Sequence, residues 1–135
     1  MGPALGYVLT FTNGLTVYLT GDTGHTSDMA SIIRDYYGPK LVVFNIGDIF
    51  TTGPEEAAFA VSTLIGPRAV IPEHANEVAT SNGAVIPGTK TARFIELVGD
   101  LPVYPPLSGR TMHFDGDGNC AAGCAVKTRN RGGSK

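Results

Sequence analysis

Three loops in this chain hold residues whose types and spacing could do chemistry, and each follows an apolar run. The first is Gly21-Asp22-Thr23-Gly24-His25, after VYLT. Its glycines permit a tight turn and a close approach to a ligand, so Asp22 is placed either to bind a metal or activate water, or to close an Asx-turn. The second is Pro72-Glu73-His74-Ala75-Asn76-Glu77, after RAVI. A histidine among acids and an asparagine suits a metal ligand steadied by a neighbouring group, with Asn76 and Glu77 as accessories. Taken alone, such a histidine is more often a surface residue satisfied by hydrogen bonds. The third, Asn45-Ile46-Gly47-Asp48 after LVVF, offers Asp48 as a supporting acid or an ordinary turn residue. His25 is near enough to Asp22 to reach the same site, and His113 reads as structural or exposed.

These loops need a frame that brings them together. GYVLTF and LTVYLT read as two strands, joined through Asn13-Gly14, a strong hairpin signal. Ser27 or Asp28 can cap a helix over about 29–37, with Met29, Ile32, Ile33 and Tyr36 on one face, and Gly38-Pro39 stops it. LVVFNI is continuously apolar, as a strand covered on both faces should be. TGPEE starts the next helix, with Thr52 as cap, Pro54 in the first turn and two carboxylates on the positive end of the dipole. That helix runs to about Leu64 and ends at Gly66-Pro67; AVI follows as a strand stopping at Pro72. A loop of roughly fifteen residues leads to a helix near 91–98, and PVYPPL and TMHFD are the last strand-like pieces. Helices alternating with buried strands make the class α/β. In such sheets ligands gather beyond the carboxyl ends of the strands, where all three loops lie.

Composition narrows the function. The 135 residues suffice for one domain, which the pattern ends near residue 119, with 120–135 a flexible basic tail. Ten basic and twelve acidic side chains give a net charge of -2, against the basic stripe of a nucleic-acid binder. No apolar run approaches the roughly 20 residues of a membrane span. MGPALGYVL lacks a basic n-region, so no secretory signal and a cytoplasmic location are expected. Cys120 and Cys124 cannot fill a tetrahedral zinc site alone; they are two free thiols or a small loop disulfide. The glycine-rich loop lacks the G-x4-G-K-[ST] pattern of a phosphate cradle.

Taken in order, VYLTGDTGHTSDM, LVVFNIGDIFTTGPEEAAFAV and RAVIPEHANE resemble the C-terminal half of the metallo-β-lactamase superfamily. The similarity, over about residues 5–119, is to its metal-dependent hydrolases of the ascorbate-6-phosphate lactonase type. It implies half of an αββα sandwich: one mixed sheet with helices on one face. It further implies that Asp22 bridges two metal ions and that His74 is the last histidine ligand, around zinc or, alternatively, manganese. The family's His-x-His-x-Asp-His motif has no counterpart here, since no two of the three histidines stand two apart. The resemblance therefore implies a hydrolase of ester, lactone or related bonds with an incomplete site and little activity alone, or a structural half-domain. If it holds, the Asp22 carboxylate and His74 imidazole should lie within about 4–6 Å, given metal–ligand bonds of about 2.0–2.2 Å. It also implies a partner for the sheet's second face, either a second copy in a two-fold dimer or a missing N-terminal half, and a small-molecule substrate if active.

Overall fold

The computed structural model describes residues 5–22, 24–47 and 52–127. β1 (Tyr7–Thr10) and β2 (Thr16–Leu19) form the expected antiparallel hairpin, with Thr10 opposite Thr16. Phe11 donates to the Leu15 carbonyl, and the Asn13 side chain accepts from the Leu15 amide. β3 (Leu41–Asn45) and β4 (Ala69–Glu73) then add in parallel, giving a mixed sheet in the order β1-β2-β3-β4.

The parallel crossovers are helical. α1 (Met29–Tyr37) joins β2 to β3; α2 (Pro54–Phe59) and its continuation α3 (Ala60–Ile65) join β3 to β4. α1 and α3 are π-type helices, each closed by a glycine, Gly38 and Gly66, in the left-handed conformation the sequence led us to expect. The wider turn changes which residues of α1 face inward. Met29 and Ile33 pack on the core, whereas Ile32 and Tyr36 of the expected apolar face are exposed. Neither Ser27 nor Asp28 caps the helix through its side chain; the Ser27 carbonyl accepts from Ala30 and Ser31. α4 (Lys90–Val98) starts one residue before the expected span, capped by Thr89, whose hydroxyl accepts from the Ala92 amide at 3.1 Å.

All helices cover one face of the sheet. Tyr18, Val42, Phe44 and Val70 point into it and meet Met29, Ala57, Val61, Phe94 and Val98. Alternation along the strands sends Val17, Leu41 and Ala69 to the other face, where Leu15, Tyr104 and Phe114 pack on them. This is the mixed sheet with helices on one side that the sequence implied.

Three expectations change. β4 runs through Pro72 to Glu73 rather than stopping at Pro72. Val70 bonds Pro102 and Tyr104 on the side away from β3, so Pro72, two residues on, turns its missing N–H to that same outer side. The fifteen-residue loop contains a small hairpin, β5 (Thr80–Ser81) and β6 (Ala84–Val85), turning at Asn82-Gly83. Ordered structure also passes the expected boundary at 119, because β7 (His113–Phe114) pairs with β8 (Cys120–Ala122) and a disulfide joins Cys120 to Cys124. No helix among the described residues is long and apolar enough to cross a membrane.

Candidate metal centre

The site is built on three adjacent carboxyl-terminal strand ends. Below it lies a buried polar cluster. Asn45, the last residue of β3, is fully buried, and its amide donates to Thr20 Oγ1 at 3.1 Å and to the Gly21 carbonyl at 2.5 Å. Its side-chain oxygen accepts from the Thr52 amide at 3.1 Å and the Thr52 hydroxyl at 2.6 Å. Thr52 is therefore spent on Asn45, and the cap position of α2 falls to Gly53, whose amide donates to Glu56 at 3.2 Å. One side chain thus ties the exit of β2, the exit of β3 and the entry to α2. These bonds fix the backbone beside Asp22 and also satisfy polar groups that burial would otherwise penalise.

The second support holds the His74 loop. His74 and Asn76 adopt φ of 47° and 55°, a region few non-glycine residues enter. The loop folds tightly over Gly47: a Cβ there would stand 2.2 Å from the His74 carbonyl and 2.6 Å from Asn76 Nδ2. Lys90 Nζ donates to the carbonyls of Gly47 at 2.7 Å and Ala75 at 3.3 Å, joining the β3 and β4 exits. Glu77 accepts from the Thr91 amide at 3.1 Å. Asn76 and Glu77 therefore shape the loop.

Asp22 and His74 meet on this platform. His74 Nδ1 and Asp22 Oδ1 are 2.6 Å apart, a direct hydrogen bond between residues 52 positions apart in sequence. The separation is shorter than the expected 4–6 Å, because the two groups bond each other. Both side chains are partly open, 39% for His74 and 58% for Asp22. Nε2 and Oδ2 make no hydrogen bond to any described residue. Glu73 lies alongside: burial pushes its carboxyl up, the Asp22 charge adds to this, and His74 opposes it. His25 instead packs edge-on against Phe59, with centroids 6.0 Å apart, and makes no described contact with Asp22. Asp48 lies outside the described residues.

The donor chemistry fits a divalent metal. A carboxylate oxygen and an imidazole nitrogen converge, and both suit zinc or manganese. The ligand count is short, since a catalytic zinc takes three protein ligands and a water. Among the described residues no group of three or more His, Cys, Asp or Glu side chains is arranged to hold a metal.

A mixed sheet with helices on one face, carrying a carboxylate–imidazole pair at its strand ends, defines an α/β unit with two side chains of metal-ligand type at one edge. More particularly, the chain is homologous to the UPF0173 metal-dependent hydrolases. It is 55% identical over 74 residues to one from Chloroflexus aurantiacus, covering 55% of this chain and 30% of that protein. It is 35% identical over 115 residues to one from Polynucleobacter asymbioticus, covering 84% of this chain and 38% of that protein. The chain thus spans about a third of the length of these curated relatives. A crystal structure described as a candidate metal-dependent hydrolase from Parabacteroides distasonis shares the fold, with a TM-score of 0.56 and 24% identity over 74% of this chain and 39% of that one. No protein-family model matches.

Proposed function

We propose that this chain carries part of the ligand set of a metal-dependent hydrolase, with Asp22 and His74 as the ligands. The supporting observation is the convergence of Asp22 Oδ1 and His74 Nδ1 at 2.6 Å above parallel strand ends. Zinc is the metal this reading favours, with manganese the alternative. When bound, it supplies a Lewis acid and an acidified water.

The protein's own contribution is placement. Asn45 holds the Gly21 carbonyl beside Asp22, and Gly47 with Lys90 fixes the turn that presents His74. Asp22 on Nδ1 orients the ring and makes Nε2 the better donor; alternatively, the two separate to bind side by side. A small-molecule ester or lactone is the substrate class. Two protein ligands leave the metal weakly held and its water weakly acidified, so the chain alone has little or no activity. The two-donor count equally favours a second reading, a structural half-domain that binds metal without turnover.

Calorimetric zinc titration without dialysis tests the ligand assignment. Wild-type protein should bind zinc weakly, and an Asp22→Asn, His74→Gln double variant should not bind it. A wild type that binds none overturns the assignment. Robust hydrolysis of an ester and lactone panel, abolished by Asp22→Ala, would overturn the expectation of low activity.

A further inference from the structure

Two prolines make a cleft at the outer edge of β4. Residues 102–104 run parallel to that edge: Val70 donates to the Pro102 carbonyl at 3.0 Å, and Tyr104 donates to the Val70 carbonyl at 2.9 Å. The next two bonds of such a ladder would run from residue 72 to the Tyr104 carbonyl and from residue 106 to the Pro72 carbonyl. Both donors would have to come from prolines, Pro72 and Pro106, which have no N–H. The ladder stops, and a cleft of about 320 Å³ lies between the Pro105-Pro106 turn, the loop after His74 and the start of α4. Thr91 of α4 lines it, as does Pro72, which pairs in register with Phe44 on the helix side of the sheet. The cleft therefore sits beside α4 and not on the sheet face opposite the helices.

We propose that this cleft binds a primary ammonium group. Its polar walls accept hydrogen bonds and carry negative charge: Glu73 and Glu77 bring carboxylates, Thr80, Thr91 and Ser108 bring hydroxyls, and no lysine or arginine lines it. Lys90, next to Thr91, donates instead to the carbonyls of Gly47 and Ala75. Thr91 points to a ligand independently of charge. It is only 2% exposed, and its hydroxyl makes no hydrogen bond to any described residue. Burying a hydroxyl without a partner is unfavourable, and the cleft is the open space that Thr91 borders. Glu77 Oε1 accepts from the Thr91 amide at 3.1 Å, which holds the Glu77 charge close to that hydroxyl. No described N–H donates to the Pro72 carbonyl, which points to this same edge.

An ammonium offers three N–H donors and a full positive charge, against the three kinds of acceptor on these walls: carboxylate, hydroxyl and carbonyl. Its bond to a carboxylate is of the stronger, charge-assisted kind. A phosphate or carboxylate group would meet like charge. His74 also lines the cleft, so a ligand held here lies beside the Asp22–His74 pair. On the hydrolase reading, the substrate is then an ester or lactone that carries a primary ammonium group. That substrate assignment rests on the proposed function; the ammonium site does not.

The test titrates the metal-free chain with propylammonium, 1-propanol and propionate at equal ionic strength, followed through backbone amide resonances. Propylammonium should shift the amides of Thr80, Thr91 and Ser108 saturably at millimolar concentration, as befits a ligand of about four heavy atoms. Propionate should shift none of them, and propanol should bind about tenfold more weakly. Glu77→Gln keeps an acceptor for the Thr91 amide and removes the charge, and should weaken propylammonium about tenfold. Thr91→Val removes the hydroxyl at nearly constant shape and should weaken it about fivefold. Glu96→Gln, the same charge change at an exposed position on α4, should leave binding within about twofold. Circular dichroism checks that each variant is folded. Absence of saturable shifts at these three amides overturns the site. Equal shifts from all three probes, or propylammonium binding unchanged in both Glu77→Gln and Thr91→Val, overturn the ammonium assignment. No metal is present, so failure of the zinc titration would leave the ammonium site standing and remove only the substrate assignment.

Discussion

Replacing Asn45 by alanine should remove the cluster that joins both strand exits to α2. The side chain makes four described hydrogen bonds, to Thr20, to Gly21 and two to Thr52, and the residue is fully buried. Each bond is worth about 1 kcal/mol net, and the abandoned partners cannot all reach water. The loss should therefore be about 3–5 kcal/mol, a large share of a typical domain stability of about 5–15 kcal/mol. Urea denaturation followed by circular dichroism measures it: with a slope of about 1–3 kcal/mol per molar, the midpoint falls by more than 1 M. Thr20→Val and Thr52→Val should each cost less, and combining either with Asn45→Ala should add less than its own cost, because the partners share bonds. A loss under about 1 kcal/mol for Asn45→Ala would refute the view that this cluster anchors the site.

Gly47→Ala should cost about 1–3 kcal/mol, because its Cβ would meet the His74 carbonyl, and should disturb the His74 ring resonance more than those of His25 or His113. Backbone and side-chain bonds from Asn119 hold the Asp115 carboxyl below its usual range, helped by the amide of Asp117. A depressed folded pKa contributes stability above the unfolded value, lost as pH falls through the folded one. Asp115→Asn should therefore destabilise the chain at neutral pH, with the gap closing below about pH 4. Reducing Cys120–Cys124 opens a very short loop and should cost about 2 kcal/mol, read from denaturation with and without reductant.

Local rules made the frame legible. Asn13-Gly14 gave the first hairpin, the apolar run at 41–45 gave a strand covered on both faces, and Gly38 and Gly66 marked both helix ends. The second hairpin carried the same Asn-Gly signal at Asn82-Gly83, but its strands are too short for alternation to show. Pro72 looked like a strand end because sequence does not reveal which side of the strand its missing donor faces. Asp22 and His74 were visible as residues at strand ends, whereas their direct bond depends on backbone closeness over Gly47. The supports were harder to see. Thr52 resembled a cap and bonds Asn45 instead, and no motif in the sequence singled out Lys90. A lysine in the first turn of a helix, opposed by the dipole, was the one signal that it had another task.

Asp22 and His74 are proposed to bind a divalent cation together. The most direct measurement is a manganese titration followed through the histidine ring resonances. Substoichiometric Mn²⁺ should broaden His74 first while His25 and His113 stay sharp, and Asp22→Asn should abolish that selectivity. If all three histidines broaden together, or His74 is spared, the pair is a structural hydrogen bond and not a metal site.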